Sequence, residues 1–466
     1  MAAKSAVRIR MYRLDELGDC FLVSFLGGSA SHMLIDCGSF RNNKQSIDRL
    51  KAITDDIRKT LNGARLDVVV GTHQHNDHLS GFVHCEKTFR TIGIDQVWLS
   101  WLDDPGNLKA QKIGAAHKNL RETLAAVSGQ LHLSRRTQKS RVLGVVDGML
   151  GFFGATESKA PELPANAINI LKVIGKKRPV YLNPGKTVDM PALPPGTVRI
   201  HVLGPPTGED DLYRKDPKKG ESYDHALANA RLSADNFLNA VKASRGAAPR
   251  ADEHYPFARS YKFKEKPKSL PPALREVVKH YRARSAAWRT IDDDWLDQAE
   301  GLALFMDSFT NNSSLALAIE LCGSGKVLLF AADAQTGNWS SWKTVKWETA
   351  GVKTDDLLAR TVLYKVGHHA SHNATLVELF EKMNDPSLSA LIPVHKKDSN
   401  IVKLGWKMPA RKLFKRITEK TSNRVLQMDN KNPAQCTPQA AKKAWKDAGI
   451  TPKITDLYIE LEIQDA

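Results

Sequence analysis

The sequence predicts an α/β protein with its functional site at the ends of strands. Three observations lead there. Short apolar segments of strand length alternate with a helix-period segment over the first hundred residues. The same alternation returns after residue 314. The densest polar clusters of the chain each follow directly on an apolar strand, and the ends of strands are where open α/β sheets place their sites.

Val7–Tyr12 alternates apolar and basic residues and reads as an edge strand. Gly18-Asp19 marks a turn, Cys20–Phe25 a second strand, and His32–Cys37 a third, closed by Gly38. From Ser46 to Leu61 the apolar residues Ile47, Leu50, Ile53, Ile57 and Leu61 recur at helical spacing. Leu66–Val70 is short and almost continuously apolar, as a strand buried on both faces is. The middle of the chain is rich in Ala, Lys and Arg with Pro and Gly punctuation. It reads as insertions, at about 104–196 and 207–310, on one core fold spanning 1–466. Helices are expected near 108–128, 231–243 and 272–288, and a strand at Val198–Leu203. Ser314–Leu321 and Lys326–Ala332 read as two strands, followed by strands at Thr361–Val366 and Ala390–Val394 with a helix at 374–383 between them. Pro409 suits the first turn of a basic helix, and Val425–Met428 and Leu457–Ile463 are expected as closing strands.

The 466 residues are 42% hydrophobic and 26% charged, which excludes a disordered, collagen-like or disulfide-framework chain. No run of apolar residues is long enough for a membrane span, so no membrane partner is expected. The five cysteines form no CxxC pair, which points to free thiols in a reducing, cytoplasmic compartment and away from cysteine-bound zinc. Lys and Arg outnumber Asp and Glu by 68 to 51, a formal charge of +17 that favours polyanionic partners. The excess is uneven: ten basic against three acidic residues from Arg135 to Lys186, and eight against one from Lys403 to Arg424. Within the second stretch Arg411, Lys412, Lys415 and Arg416 fall on adjoining helical turns, a stripe suited to phosphates.

Six of the 15 histidines lie in two short windows. The first, Thr72-His73-Gln74-His75-Asn76-Asp77-His78, holds three His and an Asp directly after a buried strand. Imidazole and carboxylate ligate first-row metals, and a tight loop there aims His73 and His75 at one point and Asp77 and His78 at another. The second, Val366-Gly367-His368-His369-Ala370-Ser371-His372, also follows a strand. Two further carboxylates, Asp36 and Asp333, stand at the ends of apolar strands.

His73-x-His75-x-Asp77-His78 after an apolar strand resembles the signature of the metallo-β-lactamase superfamily. Asp36-Cys37-Gly38 is similar to that family's first motif and Ala332-Asp333-Ala334 to its fourth. Lys365-Val366-Gly367-His368-His369-Ala370-Ser371 is similar to a segment of the metallo-β-lactamase-like domain of competence DNA-uptake channel proteins. Gly18-Asp19 and Asn311–Leu315 look like that branch as well, and this chain resembles a stand-alone member without the membrane helices. The resemblance covers about half of the chain. It implies an αββα sandwich with large, partly helical insertions, holding one or two divalent ions, zinc or manganese, with iron also suitable. His73 and His75 would hold the first ion. Asp77 and His78 would hold the second, Asp333 would bridge both, and His368 or His369 would complete the set. Asp36 would orient a histidine ligand. The family's third histidine has no clear counterpart: His201 lies three residues early, on a predicted strand.

Such a ligand set makes hydroxide available near neutral pH for attack on phosphorus or a carbonyl carbon. Asp77 would orient the nucleophile and take its proton, and His372 is a candidate proton donor to the leaving group. The leading expectation is a metal-dependent phosphodiesterase, a nuclease binding nucleic acid through its basic surface. The alternatives are a small-molecule ester, lactone, thioester or phosphoester hydrolase of the same fold, and a non-catalytic nucleic-acid-binding protein with a degenerate site.

Overall fold

Among the described residues, fifteen strands, numbered along the chain, form two mixed sheets. The first sheet contains β1 (Ala6–Tyr12), β2 (Cys20–Leu26), β3 (Ser31–Cys37), β4 (Leu66–Val70), β5 (Ile94–Ser100), β6 (Val180–Leu182), β14 (Lys453–Ile454) and β15 (Tyr458–Gln464). Their order is β14-β15-β1-β2-β3-β4-β5-β6. The second contains β7 (Thr187–Asp189), β8 (Val198–Val202), β9 (Leu317–Leu321), β10 (Lys326–Phe330), β11 (Thr361–Lys365), β12 (Ser389–Ile392) and β13 (Val425–Gln427), in the order β13-β12-β11-β10-β9-β8-β7. These are the strands of a computed structural model. It describes residues 6–28, 30–132, 140–155, 162–214, 270–281, 283, 285, 294–396, 398, 406, 408–429 and 438–465. The helix expected at 231–243 lies outside the described residues.

Each sheet is parallel in one half, β3 to β6 and β10 to β13, and antiparallel in the other. The inner faces share one core: Val7, Ile9 and Met11 of β1 belong to the same apolar cluster as Ile319, Leu328 and Leu363 of the second sheet. The rings of Phe21 and Phe330 meet edge to face across it at 5.6 Å. Helices cover the outer faces. On the first sheet lies α1 (Lys44–Leu61), capped by Asn43, whose Oδ1 accepts from the Ser46 backbone N–H at 2.9 Å. It buries Leu50, Ile53 and Ile57, each contributing about 1.5–3 kcal/mol. On the second sheet, Ala318, Leu329, Tyr364 and Ala390 pack with Trp339, Leu357, Phe380 and Ile417 of the surrounding helices.

β1 is not at an edge. β15 pairs with it over its whole length, from Ala6–Gln464 to Tyr12–Tyr458. Its basic residues face the outer layer, where Arg10 donates to Asp56 of α1 at 2.6 Å and to Glu460 of β15 at 2.8 Å through Nε. Alternation therefore reports a two-faced strand correctly, but a buried cation paired on both sides looks in sequence like an exposed one.

The region from 104 to 196 does more than decorate. Residues 180–189 supply the edge strand of each sheet, β6 beside β5 and β7 beside β8. Ahead of them, α2 (Asn76–His84) and α3 (Glu86–Ile92) lead from β4 to β5, and α4 (Leu108–His132), α5 (Ser140–Gly151) and α6 (Leu163–Ile174) follow. Leu120, Leu124, Val146 and Leu150 of α4 and α5 pack with Leu302 and Met306 of the helix Asp294–Asn312. No helix among the described residues is long and apolar enough to cross a membrane.

Candidate metal centre

Four strand ends from both sheets deliver the site. β3 ends in Asp36, whose φ of 54° turns the carboxylate toward the end of β4. There Asp36 Oδ1 accepts from the Thr72 backbone N–H at 2.9 Å, and Oδ2 accepts from Thr72 Oγ1 at 2.7 Å. The same Oδ2 lies 2.7 Å from His78 Nδ1. A carboxylate on one ring nitrogen leaves the other to point at an ion, and His78 Nε2 is buried with no hydrogen bond. Asp77 and His78 do not lie in a loop as the sequence suggested. They occupy the first turn of α2, with His75 as its N-cap, where the helix dipole favours an acidic side chain.

The second sheet brings Asp333, three residues beyond β10, and His369, four beyond β11. His369 Nδ1 lies 2.8 Å from the Pro393 carbonyl and donates to it, so in the neutral ring Nε2 carries the lone pair. That atom sits 2.9 Å from Asp77 Oδ2 and 3.4 Å from Asp333 Oδ2, while His78 Nε2 is 3.2 Å from the same Asp333 oxygen. The ligand atoms of Asp77, His78, Asp333 and His369 all lie within 4.8 Å of one another, and all four residues are buried. The turn that delivers them is held in an unusual shape: His368, His369 and Ala370 have φ of 42°, 49° and 59° in succession. Consecutive left-handed residues without glycine cost energy and persist where surrounding structure fixes them.

His73 and His75 form an adjoining pair. Thr72 Oγ1 donates to Asp36 and so accepts from His73 Nδ1 at 3.1 Å, which bares His73 Nε2. That nitrogen lies 3.1 Å from His75 Nδ1. Two nitrogens on one tetrahedral ion at roughly 2.0–2.1 Å would be roughly 3.3 Å apart. His75 Nε2 is directed to Asp307 of the helix Asp294–Asn312, at 3.9 Å.

The electrostatics also fit cations. Asp19, Asp36, Asp77 and Asp333 are all at most 1% exposed, and the one buried ammonium among them is Lys365, which pairs with Asp19 and lies 3.4 Å from Asp333. With the histidine rings neutral, four carboxylates against one ammonium leave a formal deficit of three positive charges, which protons on His369 and His78 or bound cations can fill. Burial pulls His369 down, but Asp333 and Asp77 outweigh it and hold its pKa at about 9. His78 is held well above its ordinary value by Asp333, Asp19 and Asp36 against the same burial. Burial takes His75 down to about 3 and His73 well below its ordinary value, helped by neighbouring histidines, so both are neutral and ready to ligate. Unbonded buried acceptors, bare imidazole nitrogens and the charge deficit all suit one or two divalent ions.

The remaining expected residues fall elsewhere. His368 turns away from the four-residue cluster: its ring contacts Ser371 Oγ at 2.5 Å, Gln335 Nε2 at 3.2 Å and Asn311 Nδ2 at 3.3 Å. Of the two adjacent histidines it is therefore His369 that joins the ligand atoms. His372 is exposed, and no hydrogen bond or ion pair among the described residues joins it to the cluster. His201 lies within β8, between Thr187 Oγ1 at 3.0 Å and Glu320 Oε2 at 2.9 Å. Gly204, just beyond β8, offers no ligand, and a Cβ there would lie 2.2 Å from Asn338 Oδ1. The helix Arg411–Lys420 starts against the histidine turn, with the Ala410 N–H donating to Ala370 O at 2.8 Å. Arg411 and Lys412 are exposed there. Arg416, by contrast, is taken up by Glu381 at 2.5 and 2.7 Å, and Lys415 lies 3.8 Å from Glu419.

Asp19, Lys365 and Asp307 belong to the surroundings of the site without having been singled out as site residues in the sequence. The first two stand inside the quoted motifs, but a lysine among metal ligands reads as surface charge until its burial is known. Asp307 sits mid-helix and carries no local signal. Compared with known proteins, the chain matches no family model and no curated protein.

Proposed function

We propose that the protein is a metal-dependent phosphodiesterase acting on nucleic acid, built on a metallo-β-lactamase-like sandwich. The observation that carries this reading is the convergence of Asp77 and His78 with Asp333 and His369, all buried, their ligand atoms within 4.8 Å. Asp77, His78, Asp333 and His369 would hold one divalent ion, and His73 and His75 would contribute to a second. Bound ions supply a nucleophile at neutral pH and stabilise the charge that develops on a phosphoryl oxygen. The chain's own residues do the rest. Asp77 Oδ1 is buried with no hydrogen bond and is the carboxylate oxygen free to take a proton from an attacking water. Asp36 and the Pro393 carbonyl fix the tautomers of His78 and His369. Lys365 keeps Asp19 and Asp333 from repelling each other. The net charge of +17, with Arg411 and Lys412 exposed at the helix that starts beside His369, favours a polyanionic substrate.

A second reading, a small-molecule hydrolase, is favoured by the cleft beside His73, whose inserted walls would shape a pocket. Elemental analysis and turnover of bis(p-nitrophenyl) phosphate and single-stranded DNA test both. Zinc, manganese or iron is expected, with hydrolysis of both substrates and a fall of about 10²–10⁴-fold in kcat for Asp77→Asn. DNA affinity is expected to weaken with salt at a log–log slope of about −0.7 per phosphate contact. Turnover of the small ester with no DNA binding at low salt would select the second reading. Metal-free protein or an unaffected Asp77→Asn enzyme would remove the proposal.

A further inference from the structure

The cleft beside His73 is walled by inserted elements: Lys118 and Arg121 from α4, Phe153 just after α5, and Thr310 from the helix Asp294–Asn312. Lys118 and Arg121 are three apart and share a helix face. They differ in surroundings. Lys118 is exposed and lies 3.9 Å from Glu122. Arg121 is half-buried, with its guanidinium 5.4 Å from the centre of the Phe153 ring. Among the described residues it makes no hydrogen bond or ion pair. Burial lowers its pKa, and Glu122 and Glu162 only attract it from a distance. The one carboxylate on the cleft wall, Asp103, accepts from Gln74 Nε2 at 2.7 Å. A partly desolvated guanidinium with no carboxylate in contact is costly, and its planar fork is shaped for a bidentate oxyanion.

The same wall is tied to the metal centre. Phe153, under Arg121, packs edge to face on His75 at 5.1 Å, and Phe152 packs on the same ring at 5.0 Å. His73 itself lines the cleft. An anion held at Arg121 is thus neighbour to a group lying over the His73–His75 pair.

We infer that Arg121 anchors an anionic group of the substrate that is not itself cleaved, a phosphate next to the scissile one. The cleft is walled by α4, Phe153 and the helix Asp294–Asn312, a set of walls that suits the end of a strand better than the interior of a duplex. This rests on the phosphodiesterase reading above and narrows its substrate class to phosphorylated strand ends.

Three thymidine dinucleotides test it: unphosphorylated, 5′-phosphorylated and 3′-phosphorylated. Each is assayed with wild type, Arg121→Ala and Arg121→Met, the last retaining the packing of the stem on Phe153. The wild-type enzyme is expected to prefer one phosphorylated dinucleotide at least tenfold in kcat/KM, and the preferred one tells at which end the anchor acts. In both variants that ratio is expected to fall toward one. Binding of the two thymidine monophosphates, measured by calorimetry, is the readout that needs no turnover; the better one is expected to bind at least tenfold more weakly to Arg121→Met. Equal rates on all three substrates, or unchanged affinity in both variants, overturns the anchor. Failure to cleave bis(p-nitrophenyl) phosphate would overturn the phosphodiesterase reading instead, leaving the calorimetry to decide the anchor.

Discussion

If the site takes a metal as proposed, His369 would hold either a proton or the ion, and pH would decide between them. In the ion-free protein its pKa of about 9 lies above the ordinary imidazole value of 6.5, because Asp333 and Asp77 outweigh burial. A raised pKa stabilises the fold fully below pH 6.5 and loses that contribution as pH rises through 9. His78 shifts in the same direction. Metal binding needs both rings neutral, so affinity should climb over the same interval. Thermal melts in chelator are expected to show the protein less stable at pH 9 than at pH 6.5, and added zinc should remove most of that difference. A chelated protein equally stable at both values would contradict the assignment. At this scale much was legible in sequence. The clustered histidines and the strand-end Asp36 and Asp333 are visible as types and positions. Asp307 was not, since a mid-helix carboxylate gains its meaning only from the ring it faces. Nor could sequence choose between His368 and His369, which the positive φ of the turn sends in different directions.

The first turn of α2 carries Asp77 and His78, and Gly38 sets where it lies. A Cβ on Gly38 would stand 2.4 Å from backbone atoms of Asp77 and His78. The Asp19 N–H donates to Asp77 O at 2.9 Å, and the Gly38 N–H to Asp19 O at 3.0 Å, so three segments meet without room to shift. Gly38→Ala is expected to destabilise by about 1–3 kcal/mol and to weaken metal binding. Gly301→Ala, at an exposed helix position with open space around it, is the control and should stabilise by about 0.5–1 kcal/mol. Denaturant melts and metal titration of both variants check this. Elements with a clear pattern, such as the helical period of α1 and the continuous apolar run of β4, were readable from sequence. β5 was not: Ile94-Asp95-Gln96-Val97-Trp98 has neither strict alternation nor a continuous apolar run. The short edge strands β6, β7 and β14 exist only because a finished sheet edge is there to pair with.

Across the whole molecule, the ligands join two sheets made from distant parts of the chain. Asp77 and His78 follow the first sheet's β4, and Asp333 and His369 follow β10 and β11 of the second. An ion that binds the folded state alone stabilises it by mass action, about 4.1 kcal/mol at a thousandfold excess over Kd. Chelation is therefore expected to lower the midpoint of unfolding by several degrees in a single transition, because both sheets share one core and one site. Two separate transitions, with only one of them sensitive to metal, would show that the sheets unfold independently.

The pairing of β1 with β15 has a consequence in time. While the chain is being synthesised, β1 and the His73–His78 cluster emerge early, but β10 and β11 come much later and β15 later still. Until then β1 has an unpaired edge of backbone groups, and the early histidines have no partners from the second sheet. Such an edge is an invitation to mispair with another nascent chain, and the alternating Arg8 and Arg10 are the charges that discourage it. The four-residue cluster is complete, and could take the proposed ion with all its ligands, only after His369 has emerged. Loading of the proposed site would thus be a late event in the life of each molecule, exposed to whichever metal is abundant when β10, β11 and β15 close.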